Sequence, residues 1–265
     1  MSRCELVALD VDGTLMSYDG VVSDDVRAAV LAVRDSGRHV VLATGRGAHS
    51  AVPVAHELGL TEGWLVASNG AVTVRLDPGA DGGYEITKAV TFDAGPAIRA
   101  IAMELPDALF AVEALGTGFR VSGDFPDGEL SGRLEVVPFD ELAATPATRV
   151  VIRAPGSSPD VFHELVERVG LHEVEYAVGW SAWLDLTPGG VSKASALEEI
   201  RQEVGVEPFA TVAVGDGGND LQMLRWAARG VAMGHATQSV RDAADEVTGT
   251  IEDDGALVVL RSLLV

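Results

Sequence analysis

The chain has 265 residues, 47% of them hydrophobic, and carries a formal net charge of −21 from 19 Lys and Arg against 40 Asp and Glu. That length supports a sizeable core in one large or two modest domains, while the acidity repels nucleic-acid backbones and anionic lipid and argues against both as partners. One cysteine, Cys4, excludes an intrachain disulfide, residues 1–15 lack the parts of a signal peptide, and no apolar stretch reaches the roughly 18 residues of a membrane span. These features read as a soluble, cytoplasmic protein.

The first element is the apolar run Leu6–Leu9, which reads as a buried strand and ends in Asp10-Val11-Asp12-Gly13-Thr14-Leu15. In an open α/β sheet, ligands bind at the carboxyl ends of the strands. Two carboxylates crowded there resist joint ionisation through burial and mutual repulsion. A bound cation, or a division into one base and one acid, relieves that cost.

Residues 24–36 carry Val26, Ala29, Val30 and Val33 at helical spacing, with Ser23 as N-cap and Gly37 past the end. His39–Ala43 then runs into Thr44-Gly45-Arg46, and residues 64–67 run into Ser68-Asn69-Gly70. Residues 71–91 alternate around the turn-rich 77–83, which predicts a hairpin. The pattern then changes to a helix near 96–104, strands near 109–113, 118–122 and 148–153, a helix at 159–169, and strands at 173–178 and 182–186. A helix follows at 192–204, a strand at 211–214 before Gly215-Asp216, a helix at 219–228, and a strand at 230–233 before Gly234. Strands alternating with helices predict a doubly wound parallel sheet. The expected fold is therefore α/β, with a core built from residues 1–88 and 187–265 and an inserted α+β cap at 89–186.

The strand ends would gather Asp10, Asp12, Thr44, Gly45, Asp216, Asn219 and Asp220. Such oxygen-rich ligands suit a hard cation such as Mg²⁺, and no Cys/His cluster suggests zinc. Glycines in Gly215-Asp216-Gly217-Gly218-Asn219-Asp220 let the backbone approach a ligand. Lys193 starts a helix, where its charge opposes the dipole unless an anion binds there. Each motif alone has a plainer explanation. Asp10 and Asp12 could form a turn and cap pair, Thr44-Gly45 a strand-to-helix cap, Lys193 a solvated helix start, and Asn219 an N-cap.

Taken together and in order, Asp10 to Leu15, Thr44-Gly45-Arg46, Lys193 and Gly215 to Asp220 resemble the haloacid-dehalogenase-like (HAD) phosphohydrolases. The resemblance is to the Cof-type members with a type IIB cap, covers nearly the whole chain, and extends to Ser68-Asn69-Gly70 and Glu252-Asp253-Asp254-Gly255. It implies Mg²⁺-dependent hydrolysis of a small phosphorylated molecule. Asp10 would be the nucleophile that becomes an aspartyl-phosphate, and Asp12 the general acid and base. Mg²⁺ would be held by Asp10, the Asp12 carbonyl and Asp216, with Asp220 supporting it directly or through water. Thr44, Gly45, Lys193, Asn219 and the Val11 amide would bind the phosphoryl oxygens. The cap would close over the site and choose the leaving group.

Other classes stay in view. A phosphomutase on the same fold would yield product isomers, but no second basic cluster is present for a doubly phosphorylated substrate. A non-catalytic phosphate-binding relative would have lost a motif, and none is lost. Arg46 could reach substrate or form an ion pair. Trp180 and Trp183 fit packing at the cap boundary better than stacking on a substrate. His235 stands where the family usually has Asn, and a loop hydrogen bond is favoured over contacts to the acidic site. The motifs leave open sugar, polyol, nucleotide and cofactor phosphates, and they say nothing of oligomeric state.

Overall fold

Leu6, Val7, Ala8 and Leu9 are all fully buried in the computed structural model, which describes residues 5–155, 164–165, 174–178 and 183–264. This first strand, β1 (Leu6–Leu9), lies between two parallel neighbours with helices over both faces, so its sequence is an unbroken apolar run. The other strands are β2 (His39–Ala43), β3 (Gly63–Ala67), β4 (Val72–Leu76), β5 (Tyr84–Ala89), β6 (Leu109–Ala114), β7 (Gly118–Val121) and β8 (Arg133–Val136). They continue as β9 (Val150–Arg153), β10 (Val174–Val178), β11 (Trp183–Pro188), β12 (Thr211–Gly215), β13 (Arg229–Ala232) and β14 (Glu246–Val247).

One sheet has the order β14-β13-β12-β1-β2-β3-β4-β5. It is parallel from β14 to β3, and the β4–β5 hairpin expected from residues 71–91 closes it antiparallel. Alternate residues serve opposite faces. Val7, Leu9, Leu42 and Val214 pack with Val26, Val30 and Val33 of α1 (Asp24–Asp35) and with Ala51 and Ala55 of α2 (Ala48–Glu57). Leu6, Ala8, Val41 and Ala213 belong to a second cluster with Ala196, Leu197, Ile200, Met223 and Leu224 from later helices. Truncating Leu6 or Leu9 to Ala is expected to cost about 2–5 kcal/mol.

The second sheet has the order β10-β11-β9-β6-β7-β8 and is antiparallel except for β7–β8. One face packs Phe110, Val112, Val150, Ile152, Leu184 and Leu186 against Ile98 and Ile101 of α3 (Gly95–Glu104) and Leu142 of α4 (Phe139–Ala144). The opposite face carries the smaller cluster of Ala111, Phe119, Val121 and Val151, with Trp183 against it.

Further helices are α5 (Lys193–Glu203), α6 (Leu221–Trp226), α7 (Gln238–Ala243) and α8 (Gly255–Ser262). The helix expected over 219–228 is shorter, because a 3₁₀ turn at Gly218–Asp220 precedes α6. Several elements had no expectation from sequence. α2 holds Pro53 inside it, and β8 is an exposed strand with no alternation imposed by burial. The expected helix at 159–169 lies outside the described residues apart from 164–165, as do Trp180, His163, His172 and Cys4. No helix among the described residues is long and apolar enough to cross a membrane.

Candidate active site

The carboxyl ends of β1, β2, β3 and β12 converge, and the loops that leave them carry the polar residues of the motifs. The Asp10 amide still donates to Val214 of β12 at 3.0 Å, so the aspartate is fixed to the sheet as the chain leaves it. The chain then turns tightly, with the amides of Leu15 and Met16 both donating to the Val11 carbonyl at 3.0 and 2.9 Å. Gly13 makes this possible with φ +82°, and a Cβ there would lie 2.4 Å from Asp216 Oδ2.

Lys193 is a fully buried charge. Ser192 caps α5 through the Ser195 amide, so the lysine enters at the first helical position with its ammonium fully buried. Its Nζ donates to Asp10 Oδ1 at 2.6 Å and to Asp220 Oδ1 at 2.7 Å. Asp220 Oδ2 accepts from the amides of Asp216 and Gly217 at 3.0 and 2.9 Å, so both of its oxygens are engaged. Burial works against the Lys193 charge, but Asp10 and Asp220 outweigh it and raise its pKa. Asp10 is pushed well above the ordinary carboxylate range by burial and then by Asp220, with Lys193 pulling the other way. Asp216 is raised for the same two leading reasons, burial and Asp220.

Asp10, Asp216 and Asp220 each bring a carboxylate oxygen within 4.8 Å of the others. Three carboxylates around one ammonium leave negative charge uncompensated in a place poor in water. The donors are hard oxygens, a set that fits a divalent cation. Asp216 is oriented from its other side, where Thr14 Oγ1 donates to Oδ1 at 3.2 Å and Tyr18 Oη to Oδ2 at 2.9 Å.

Asp12 has different surroundings. It is partly exposed, and Arg46 grips it with Nε to Oδ2 at 2.8 Å and Nη2 to Oδ1 at 2.6 Å. Of the two expectations for Arg46, the ion pair is what forms. Thr44 is buried, and its hydroxyl accepts from the Arg46 amide at 3.1 Å. Asn219 Nδ2 donates to Asn69 Oδ1 at 2.9 Å, and the Asn69 amide donates to the Thr44 carbonyl at 3.1 Å. Ser68 and Asn69 both have left-handed φ, +50° and +54°, so the turn between them is bent against its preference to reach these loops.

A cavity of about 780 Å³ lies over this floor. Asp10, Asp12, Thr44, Gly45, Asp216 and Asn219 line it from the first sheet. Phe119, Glu129, Ser131, Arg149, Trp183 and Asp185 line it from the second. Of the residues singled out in the sequence, Val11, Lys193 and Asp220 are buried and do not line the cavity.

Thr14 and Tyr18, both bonded to Asp216, join the site without having been expected from the sequence. Thr14 sits inside the first motif and was open to notice, whereas Tyr18 lies in a loop with no local signal. His235 makes the loop hydrogen bond and also stands beside the acidic site. Its Nδ1 accepts from the Ile251 amide at 3.3 Å, the favoured loop bond, and its Nε2 lies 3.4 Å from Asp216 Oδ2. Trp183 packs beside Phe119 and Val151 as expected, and it also faces the cavity.

A family model for haloacid dehalogenase-like hydrolases matches residues 7–91 and 126–260, which contain all four motifs. The 5-amino-6-(5-phospho-D-ribitylamino)uracil phosphatase YitU of Bacillus subtilis (strain 168) is 25% identical over 268 residues, spanning 97% of this chain and 96% of its own. Among solved structures, the HAD phosphatase BT1666 of Bacteroides thetaiotaomicron superposes with a TM-score of 0.78 at 27% identity, over 98% of this chain and 95% of that one. The HAD subclass IIB sugar phosphatase BT4131 shares the fold, with a TM-score of 0.80 at 24% identity over 97% of this chain and 98% of that one.

Proposed function

The chain belongs to the haloacid dehalogenase-like hydrolases, and from that premise we propose that it is a cytoplasmic, Mg²⁺-dependent phosphatase that hydrolyses a phosphomonoester of a small metabolite through an aspartyl-phosphate. The observation that carries this reading is the unlike setting of two carboxylates two residues apart. Asp10 is buried on Lys193, and Asp12 stands at the cavity edge on Arg46. YitU, by its name, acts on a phosphorylated small metabolite, which supports the class.

In this reading Asp10 attacks phosphorus, a bond forms from its carboxylate oxygen, and the bond to the leaving alkoxide breaks. Asp12 gives that alkoxide its proton. Asp12 then takes a proton from water, which attacks the phosphoryl group, frees inorganic phosphate and restores Asp10. Lys193, Thr44, Gly45, Asn219 and the Val11 amide hold the phosphoryl oxygens, with Lys193 also fixing Asp10. Asp10, the Asp12 carbonyl and Asp216 would hold Mg²⁺, and Asp220 supports them by engaging Lys193 and the Asp216 amide. When bound, Mg²⁺ supplies positive charge to the phosphoryl oxygens.

The division into a core of residues 1–88 and 187–265 and a cap at 89–186 is part of the same reading. The separate apolar cluster of the second sheet supports it. The cap's role is to exclude water and select the leaving group.

The test is phosphate release from p-nitrophenyl phosphate and a panel of metabolite phosphates, with Mg²⁺ and with chelator. Turnover is expected to require the metal and to vanish in Asp10→Asn. Turnover that survives either change overturns the mechanism.

A further inference from the structure

The wall of the cavity facing the floor limits what the leaving group can be. Arg149, just before β9, and Asp185, on β11, sit side by side on the cavity face of the second sheet. Arg149 Nε donates to Asp185 Oδ1 at 2.7 Å, and their side chains are only 10% and 15% exposed. This bond leaves the terminal guanidinium nitrogens as donors and the second carboxylate oxygen as an acceptor. The Arg149 guanidinium carbon lies 6.0 Å from the centroid of the Phe119 ring, and Trp183 precedes Asp185 by two residues on the same strand. The pair is thus set in a partly aromatic wall. Paired donors and acceptors on such a wall match hydroxyl groups, each of which both gives and accepts a hydrogen bond.

The charge of the cavity points the same way. Among the described lining residues the bases are Arg46 and Arg149, and each is already held by a carboxylate. Glu129, also in the wall, is itself paired with Arg153. Lys193, beneath the floor, is shared between two aspartates. The phosphoryl group has its own cradle, but a second anionic group would meet no uncompensated base among the described lining residues and several carboxylates at close range.

We propose that the Arg149–Asp185 pair is a charge filter for the leaving group, admitting neutral, hydroxyl-bearing molecules and rejecting those with a carboxylate or a second phosphate. Arg149 recognises hydroxyls because Asp185 cancels its charge. Glu113 and Asp12 also act on Arg149 through space, but Asp185 is the carboxylate that bonds it, so without Asp185 its guanidinium is freed to bind an anion. This inference rests on the phosphatase reading above.

Matched substrates test it. Sorbitol 6-phosphate and 6-phosphogluconate differ at the far carbon by a hydroxymethyl against a carboxylate, as do glycerol 3-phosphate and 3-phosphoglycerate. The wild-type ratio of kcat/KM, neutral over acidic, is expected to be about tenfold or more in each pair. In Asp185→Asn, which keeps the shape and an acceptor oxygen, the ratio is expected to fall at least about fivefold through gain on the acid. A wild-type ratio at or below one overturns the inference without any variant. So does an Asp185→Asn protein, folded by circular dichroism, whose ratio equals that of the wild type. Turnover of p-nitrophenyl phosphate by the wild type separates the two levels. With it, an adverse ratio strikes the filter alone, and without it the phosphatase reading falls too.

Discussion

Ser68 Oγ, on the turn after β3, donates to the carboxylate of Glu113 on β6, lying 2.9 Å from Oε1 and 2.7 Å from Oε2. Thr148 Oγ1 donates to the same Oε2 at 2.7 Å, and Glu113 is 5% exposed. One buried carboxylate from the second sheet thereby holds a turn of the first. That turn carries Asn69, which accepts from Asn219 and donates to Thr44.

Removing that acceptor is expected to loosen the cradle from the far side. Glu113→Ala leaves two buried hydroxyls without a partner and is expected to cost about 1–3 kcal/mol. Glu113→Gln retains an acceptor oxygen and should lose less. Urea unfolding measures the stability, and KM for p-nitrophenyl phosphate should rise in the order wild type, Gln, Ala. Equal KM values in all three would show that the turn does not need Glu113 to hold the cradle.

Lys193 is the hub of the buried charges. Lys193→Met leaves Asp10 and Asp220 close together with no cation between them. Losing one partner of such a buried network is expected to cost about 3–5 kcal/mol. Adding Asp220→Asn removes one of the stranded charges and should recover part of that stability, while turnover stays lost because Asp10 and the phosphoryl group still lack the ammonium. Thermal melts and phosphate release on the single and double variants check both halves.

Gly13 faces Asp216, and its φ of +82° already disfavours a side chain. Gly13→Ala would put a methyl group 2.4 Å from Asp216 Oδ2 and 2.6 Å from Tyr18 Oη. Both must move, which disturbs a proposed metal ligand together with the hydroxyl that orients it. The expected result is a Mg²⁺ requirement shifted to about tenfold higher concentration or beyond, with a stability loss of about 1 kcal/mol or more. A Mg²⁺ titration of activity reads the first and urea unfolding the second.

The floor of the site was legible in the sequence because its strands are buried on both faces. Each reads as an apolar run, and the polar residue that breaks the run marks the strand end, as Asp10, Thr44 and Asp216 do. The wall was not legible in the same way. Glu113 and Ser68 are 45 residues apart, and Tyr18 and Asp216 are 198 apart. No local period records such pairings. Arg149 and Asp185 look like ordinary strand charges until β9 and β11 are set side by side. Nor was the coupling of Asn219 to Asn69 visible, since it depends on a turn with two left-handed residues in succession. β8, with every residue exposed, gave no alternation to read.

Glu198 gives a pH-dependent test of stability away from the site. On α5 it accepts from Arg201 Nε at 2.8 Å and Nη2 at 2.7 Å, from Trp226 Nε1 at 2.9 Å and from Gln202 Nε2 at 2.7 Å. These bonds, Arg201 first, lower its pKa to about 2. A carboxylate depressed on folding stabilises fully above its unfolded pKa, about 4.3 for glutamate. That stabilisation is lost as pH falls from there through about 2. The side chain is 36% exposed, so solvent screening holds the contribution to about 1 kcal/mol. The difference in urea unfolding free energy between wild type and Glu198→Gln should be constant from pH 7 to 6, begin to fall near the unfolded pKa of about 4.3, and keep falling through pH 3. A difference that stays constant across that range would mean the carboxylate keeps an ordinary pKa in the fold, and that packing against Trp226 is what Glu198 contributes.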